Sequence, residues 1–407
     1  DMNLLFITLS RIEDVNARGI YTDLMREFIR KGVTPYVVIP GERRYGKPEE
    51  VFESFGVHIL RVKTLNIQKS NFIEKGIGTL LLESQYMAAI KRYWKGVKFD
   101  LCMYSTPPIT FNKIIAWQKK QGVPTYLLLK DIFPQNAVDL GLFSKKSPIY
   151  WFFRWKEKRL YALSDRIGCM SPANVRFVLE HNSNLKSEKI EICPNSIELR
   201  KEVLMKDKSI LAKYGIPTGK LLFIYGGNLG KPQGIDFLIQ LLNELKDRED
   251  LHVCVVGSGT EGKKLYNWYE RVNPKSVTLM NAMPKNDYDK LVSAADIGMV
   301  FLDRRFTIPN FPSRILSYLE NRQPVFLATD KSTDMGEIAM RNGFGVWCES
   351  GDINTAIENI NSLVNSRSMR INLGEAGHQF LVNNYTVDKS VNVILRGLSC
   401  TKISSND

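Results

Sequence analysis

The sequence is poor in the residues that build metal and disulfide sites. Its 407 residues hold six cysteines and four histidines. Cys102, Cys169, Cys193, Cys254, Cys348 and Cys400 form no CxxC pair, and with His58, His181, His252 and His378 they make no zinc-like cluster. Read as small core hydrophobes, these cysteines suit a reducing compartment. No apolar run approaches the roughly 20 residues of a bilayer span. The opening stretch, Met2-Asn3-Leu4-Leu5-Phe6-Ile7-Thr8, is short for a signal peptide's hydrophobic region and has no basic flank. The expectation is a soluble, cytoplasmic protein. The glycine-rich loop at 225–236 is neither a P-loop nor a GxGxxG fingerprint, which removes weight from ATPase and dinucleotide readings.

What is present is ordinary globular material, 44% hydrophobic and 24% charged. At roughly 100–200 residues per domain the length predicts two or three domains. The net charge of +13 is uneven. Residues 1–200 hold 31 lysines and arginines against 20 aspartates and glutamates, whereas residues 201–407 hold 25 against 23. The basic half is expected to meet something anionic: nucleic acid, a phosphorylated small molecule or an anionic membrane surface.

Strands and helices alternate in two series. Short apolar runs at 4–8, 36–39, 58–62, 101–104, 125–129, 166–170 and 190–193 predict strands. Helical patterns fall at 19–31, 71–93, 110–121, 149–163 and 173–181. A second series starts near Lys220, with strands at 221–225, 252–256, 277–280, 297–301 and 325–328. Its helices are expected at 234–246, 262–271, 286–294, 313–320 and 353–364. Fully apolar strands alternating with helices predict parallel sheets covered on both faces. The reading is α/β, with two doubly wound domains, 1–200 and 201–384, and a tail helix at 387–398 within residues 385–407 that packs back on the first domain. Ligands of such folds bind beyond the carboxyl ends of strands, so function belongs to the loops there, at a cleft between the domains.

Several of those loops carry suitable chemistry. Tyr225-Gly226-Gly227-Asn228-Leu229-Gly230-Lys231 leads into a helix and reads either as a diphosphate cradle or as a tight turn. Val256-Gly257-Ser258-Gly259 repeats the design. Asp303-Arg304-Arg305 and Pro312-Ser313-Arg314 precede a short helix and offer cations to an oxyanion. In the first half Arg18-Gly19 opens a helix. Asp131, after the strand at 125–129, either orients an acceptor hydroxyl or caps the next segment. Asp287-Tyr288-Asp289 matches DxD but sits in an amphipathic helix, as a solvated face. The segment 145–159, Lys145-Lys146-Ser147-Pro148-Ile149-Tyr150-Trp151-Phe152-Phe153-Arg154-Trp155-Lys156-Glu157-Lys158-Arg159, is strongly aromatic and cationic. Two readings stand: a lipid-headgroup surface, or a helix that packs its aromatics on the sheet, the commoner use of an aromatic stripe.

Together Tyr225-Gly226-Gly227-Asn228-Leu229-Gly230, Val256-Gly257-Ser258-Gly259, Ala295-Asp296-Ile297-Gly298, Pro312-Ser313-Arg314, Asp131-Ile132-Phe133-Pro134-Gln135 and Ser164-Asp165-Arg166-Ile167 resemble the retaining glycosyltransferases of family 4. These have the GT-B fold of two Rossmann-like domains facing a central cleft. The resemblance is to the branch that builds bacterial capsule, O-antigen (lipopolysaccharide) or exopolysaccharide. It implies a hexosyl- or N-acetylhexosaminyltransferase that moves a sugar from a nucleotide-sugar, UDP-linked by preference, to a polyprenyl-diphosphate-linked acceptor. It implies no metal and no cofactor, and peripheral contact with the inner membrane's cytoplasmic face. By the resemblance Met283 borders the base, and Gly227, Asn228, Gly257, Lys231, Arg304, Ser313 and Arg314 surround the diphosphate and sugar. Gly19 approaches the phosphates from the first domain, and Asp131 orients the acceptor hydroxyl. Asp131, Lys231 and Arg314 are thus the expected catalytic set. The chain departs from the family at its E-x7-E pair, which falls on Pro309 and Ser317. Glu320, one turn beyond Ser317, is the expected substitute at the ribose. The loop's usual arginine and lysine are Asn228 and Gln233 here.

Two rival functions remain open on the residues. A non-hydrolysing nucleotide-sugar epimerase needs cleft carboxylates and a histidine, which are scarce at the strand ends. A basic nucleic-acid-binding protein needs a recognised module, which the dispersed lysines and arginines do not form, so no nucleic-acid partner is expected.

Overall fold

The computed structural model describes residues 1–67, 72–202 and 205–404. The first residue of the helix expected at 71–93, part of the boundary stretch after Asn195, and the last three residues of the tail lie outside them. Two compact units divide the chain, Asp1–Glu198 with Tyr385–Asp407, and Leu199–Asn384.

The first unit is built on eight strands: Met2–Ile7 (β1), Val33–Glu42 (β2), Glu50–Ser54 (β3), Val57–Thr64 (β4), Leu101–Ser105 (β5), Thr125–Leu129 (β6), Arg166–Cys169 (β7) and Ile190–Ile192 (β8). They run in the order β3-β4-β2-β1-β5-β6-β7-β8. All neighbours are parallel except β3, which pairs antiparallel with β4. The second unit has Leu221–Asn228 (β9), Leu251–Ser258 (β10), Val277–Met280 (β11), Ile297–Phe301 (β12), Val325–Thr329 (β13) and Gly345–Glu349 (β14). Its parallel order, β11-β10-β9-β12-β13-β14, is the 3-2-1-4-5-6 pattern of doubly wound nucleotide-binding folds. The order reverses between β9 and β12, and in the first unit between β1 and β5. Such reversals leave a crevice beyond the strands' carboxyl ends.

Burial explains the pattern. β5, β6, β12 and β13 are buried at every residue. In the first unit Leu4 and Phe6 pack with Leu24, Met25 and Phe28 of the helix Ile20–Arg30 and with Val391, Ile394 and Leu398 of the last helix, Val387–Ser404. In the second, Leu238, Leu241, Leu242 and Leu245 of the helix Ile235–Leu245 follow helical spacing onto Phe223, Tyr225, Val253 and Val255. Each such leucine contributes about 1.5–3 kcal/mol. Among the described residues no helix is long and apolar enough to cross a membrane. The cysteines at 102, 169, 193, 254 and 348 are unpaired and buried.

Candidate active site

The strand expected at 221–225 continues through the glycines. β9 pairs with β10 up to Gly227 opposite Gly257 and Asn228 opposite Ser258. Close approach is what requires glycine here. A Cβ on Gly257 would lie 1.9 Å from the Gly227 carbonyl oxygen, and one on Gly226 would lie 1.9 Å from the Tyr288 hydroxyl. Gly257→Ala therefore sets side chain against main chain, which cannot swing aside. We expect it to destabilise the protein by about 3 kcal/mol, read as a lower melting temperature.

Arg314 opens the helix Arg314–Glu320 and reaches this strand end. Its guanidinium carbon is 5.0 Å from the centre of the Tyr225 ring. A Cβ on Gly227, whose φ is +146°, would lie 2.9 Å from Arg314 Nη2. Arg314 Nε and Nη1 are buried without a hydrogen-bond partner, and no ion pair neutralises the group among the described residues. Its surroundings are tyrosines 225, 288 and 318. Burial pushes the Tyr288 phenol up to about 12, against the opposing pull of Arg314. Burial raises Tyr225 and Tyr318 likewise. These phenols stay neutral and cannot compensate the cation. Its contact with Tyr225 is worth about 0.5–2 kcal/mol and leaves the two buried nitrogens of this half-buried group without an acceptor. The balance favours arrival of an anion.

Gln233, beyond the glycines, is the prop that holds this loop. Its buried Oε1 accepts from the Gly230 amide at 3.1 Å and from Asn228 Nδ2 at 3.1 Å. Gln233→Leu should leave these donors without their acceptor and weaken nucleotide binding about tenfold, measured by titration. Lys231 is exposed and joins Arg304, Lys264, Asp236, Glu261 and Asp303 around a pocket of about 520 Å³. Most cations there have carboxylate partners: Lys264 pairs with Glu261 at 3.1 Å, Arg305 with Asp303 at 3.0 Å, and Arg304 with Glu349 at 3.3 Å. Lys231 forms no ion pair among the described residues. Arg304 thus leans toward Glu349 and Gly351, whereas Arg314 sits against Gly227.

Other expected residues are placed differently from the sequence reading. Glu320 does not stand open for a ribose: Arg200 holds it, through its main-chain N–H at 3.2 Å and its guanidinium at 3.4 Å. It lies six residues beyond Arg314, about 9 Å along the helix axis. Ser317 is half-buried and one turn from Arg314. Ser313 is exposed and makes no side-chain capping bond. Met283 is half-buried just before Pro284, which starts the helix Lys285–Ala294. In that helix Asp287 is half-buried and held by Lys213 at 2.8 Å, not solvated as the sequence suggests, and Tyr288 turns onto Gly226.

In the first unit Asp131 follows β6, half-buried. The Lys130 and Asp131 amides donate to Thr106 Oγ1 at 2.8 and 3.3 Å, tying this loop to the end of β5. Tyr21 lies close enough that Asp131's charge adds to the burial that pushes its phenol up to about 12. Burial draws the Lys130 ammonium down to about 8, with Met170 Sδ at 3.8 Å as its side-chain contact. Gly19 offers less than the sequence suggests. Its φ of 171° is extended backbone open to any residue, and its amide donates to Asp23 Oδ1 at 3.2 Å. Asp23 also accepts from Arg26 at 2.6 Å. The Gly19 amide is thus engaged by a carboxylate of its own helix.

These strand-end loops can be compared with known proteins. A family description, "Glycosyl transferases group 1", matches residues 206–380. A second, "Glycosyltransferase Family 4", matches residues 20–201. The chain is a glycosyltransferase of the GT-B fold. The transferase is 20% identical over 287 residues to a protein named glycosyltransferase WbjE from Pseudomonas aeruginosa, covering 70% of each. It is 22% identical over 278 residues to one named colanic acid biosynthesis glycosyl transferase WcaI from Escherichia coli, covering 64% of each. Among solved structures, sucrose-phosphate synthase from Thermosynechococcus elongatus superposes with a TM-score of 0.77 at 15% identity, covering 98% of this chain and 100% of that one. HepE of Anabaena in complex with UDP-glucose gives 0.69 at 14%, with the same coverage. At these identities the likeness speaks for the fold of the transferase.

Proposed function

We propose that the transferase is a retaining, metal-independent family-4 enzyme. It moves a sugar from a UDP-linked donor to a polyprenyl-diphosphate-linked glycan during synthesis of a bacterial surface polysaccharide. The observation that carries this reading is Arg314, an uncompensated guanidinium beside the last glycines of β9. Lys231, the unpaired cation of the same loop, supports it. The UDP-glucose in HepE and the pathway in WcaI's name favour this donor and product class.

In this mechanism the bond from the anomeric carbon to the diphosphate oxygen breaks, and a bond to the acceptor oxygen forms on the same face. The acceptor's proton passes to the departing phosphate. Negative charge grows on the diphosphate, and Arg314 and Lys231 would receive it. Asp131 orients the acceptor hydroxyl. Cations supply the charge that a metal would otherwise provide, so turnover should persist undiminished in EDTA. Strict dependence on an added divalent ion would contradict this.

The test is a thermal-shift panel of UDP-, GDP- and TDP-sugars. A ligand at 100 times its Kd adds about 2.7 kcal/mol. UDP-sugars should raise the melting temperature, and Arg314→Ala and Lys231→Ala should each suppress the shift. Equal shifts in both variants and the parent would reject the assignment.

A further inference from the structure

The helix Pro148–Leu163 turns only part of its circumference inward. Tyr150, Glu157, Leu160 and Tyr161 are buried. Trp151, Trp155 and Phe152 are instead 60%, 58% and 42% exposed, and Ile149 of the same helix is 42% exposed. The expectation that these aromatics pack on the sheet therefore fails for the three largest outward rings. Trp151 and Trp155 are one turn apart, so they share a face, with Phe152 along its edge. Aromatic side chains bury 150–250 Å² each when covered, and a row of them left in water is unusual for a closed surface.

Charge says what covers this face. Lys145, Lys146, Lys156, Lys158 and Arg159 flank it, and Lys156 Nζ lies 5.4 Å from the Trp155 ring and 5.8 Å from Phe152. The one carboxylate of the helix, Glu157, is buried and held by Arg154 at 2.5 Å. At the helix's C-terminal end a groove of about 620 Å³ is lined by Trp155, Lys158, Arg159, Lys186 and Lys189, with Asn182 at its wall. Exposed tryptophans rimmed by cations, without an exposed carboxylate on the helix, match the interfacial zone of an anionic bilayer. There indoles sit at the headgroup boundary and ammonium groups take lipid phosphates.

We propose that the outer face of Pro148–Leu163, with the groove at its end, docks on a membrane rich in anionic phospholipid. The proposal deepens the reading of a lipid-linked acceptor, because it names the surface that would bring the transferase to that acceptor's bilayer. It is tested without sugar transfer, so the two can fail separately.

The experiment is flotation of the full chain with vesicles of phosphatidylcholine alone or mixed with phosphatidylglycerol, at low and high salt. The parent protein should float with the mixed vesicles at low salt and dissociate as salt rises. Trp151→Ser/Trp155→Ser should weaken binding at least about tenfold. Lys158→Glu/Arg159→Glu should weaken it by on the order of fivefold per cation removed. Both variants should keep the parent's melting temperature and its nucleotide-induced shift. No flotation of the parent, binding indifferent to phosphatidylglycerol, or parent-like binding by both variants would overturn the proposal. So would a concentration-dependent dimer that Trp151→Ser/Trp155→Ser abolishes, in a protein that ignores vesicles: the face would then serve a second copy of the chain.

Discussion

Arg314→Ala is expected to lower kcat/KM by roughly 10²–10³-fold, the range for removing a preorganised donor from developing negative charge. Two of the guanidinium's nitrogens are buried without partners, so a diphosphate would complete bonds that the resting protein lacks. A charge-assisted hydrogen bond is worth about 1.5–3 kcal/mol, and two account for the predicted loss. Stability should move the other way. Removing an uncompensated cation relieves its desolvation cost, so the ligand-free variant should melt no lower than the parent, and turnover should nonetheless collapse. Arg314→Lys keeps the charge but not the planar fork and should fall between the two. A variant that loses stability and activity together would instead mark Arg314 as a packing residue for Tyr225 and Gly227.

The second large effect is expected at Asp131. Asp131→Asn should lower kcat by about 10²–10⁴-fold, the contribution of a positioned proton acceptor or hydroxyl-orienting group. Its UDP-induced thermal shift should match the parent's, because the glycine-rich strand end and Arg314 belong to the other unit. The contrast separates the roles: Arg314→Ala should cost donor binding, and Asp131→Asn should cost turnover with donor bound. The Asp131 amide bond to Thr106 is retained in the asparagine variant, so loop geometry should survive. Loss of the thermal shift in Asp131→Asn would show a structural role.

The apolar strands were readable because parallel strands buried on both faces leave unbroken hydrophobic runs, as in Leu101–Ser105 and Ile297–Phe301. Glu50–Ser54 was not readable, since an edge strand that alternates exposed and half-buried residues carries little hydrophobic signal. The helix Arg367–Asn384 was hidden by Gly374 and Gly377, which look like breakers. A Cβ on Gly374 would lie 2.1 Å from the Arg322 carbonyl oxygen, so that glycine serves close packing inside a helix. At the candidate site the glycines and Arg314 were legible as types, but their partners were not. Gln233 looked like a missing lysine, and the structure turns it inward as a loop prop. Tyr288 looked like one residue of an amphipathic stripe, and it packs on Gly226. Glu320 looked available until Arg200, distant in sequence, was seen to hold it. Partners contributed by other segments decide these cases, and one segment's spacing does not contain them.

The central claim is that the second unit receives the diphosphate of a nucleotide-sugar at Gly227 and Arg314. Its most direct test is calorimetric titration of the parent and Arg314→Ala with uridine, UMP and UDP. The account predicts affinity rising at least about tenfold from uridine to UDP in the parent, as charge-assisted bonds to the phosphates form, and little or no rise in the variant. Equal affinity for uridine and UDP in the parent, or an undiminished preference for UDP in Arg314→Ala, would contradict it.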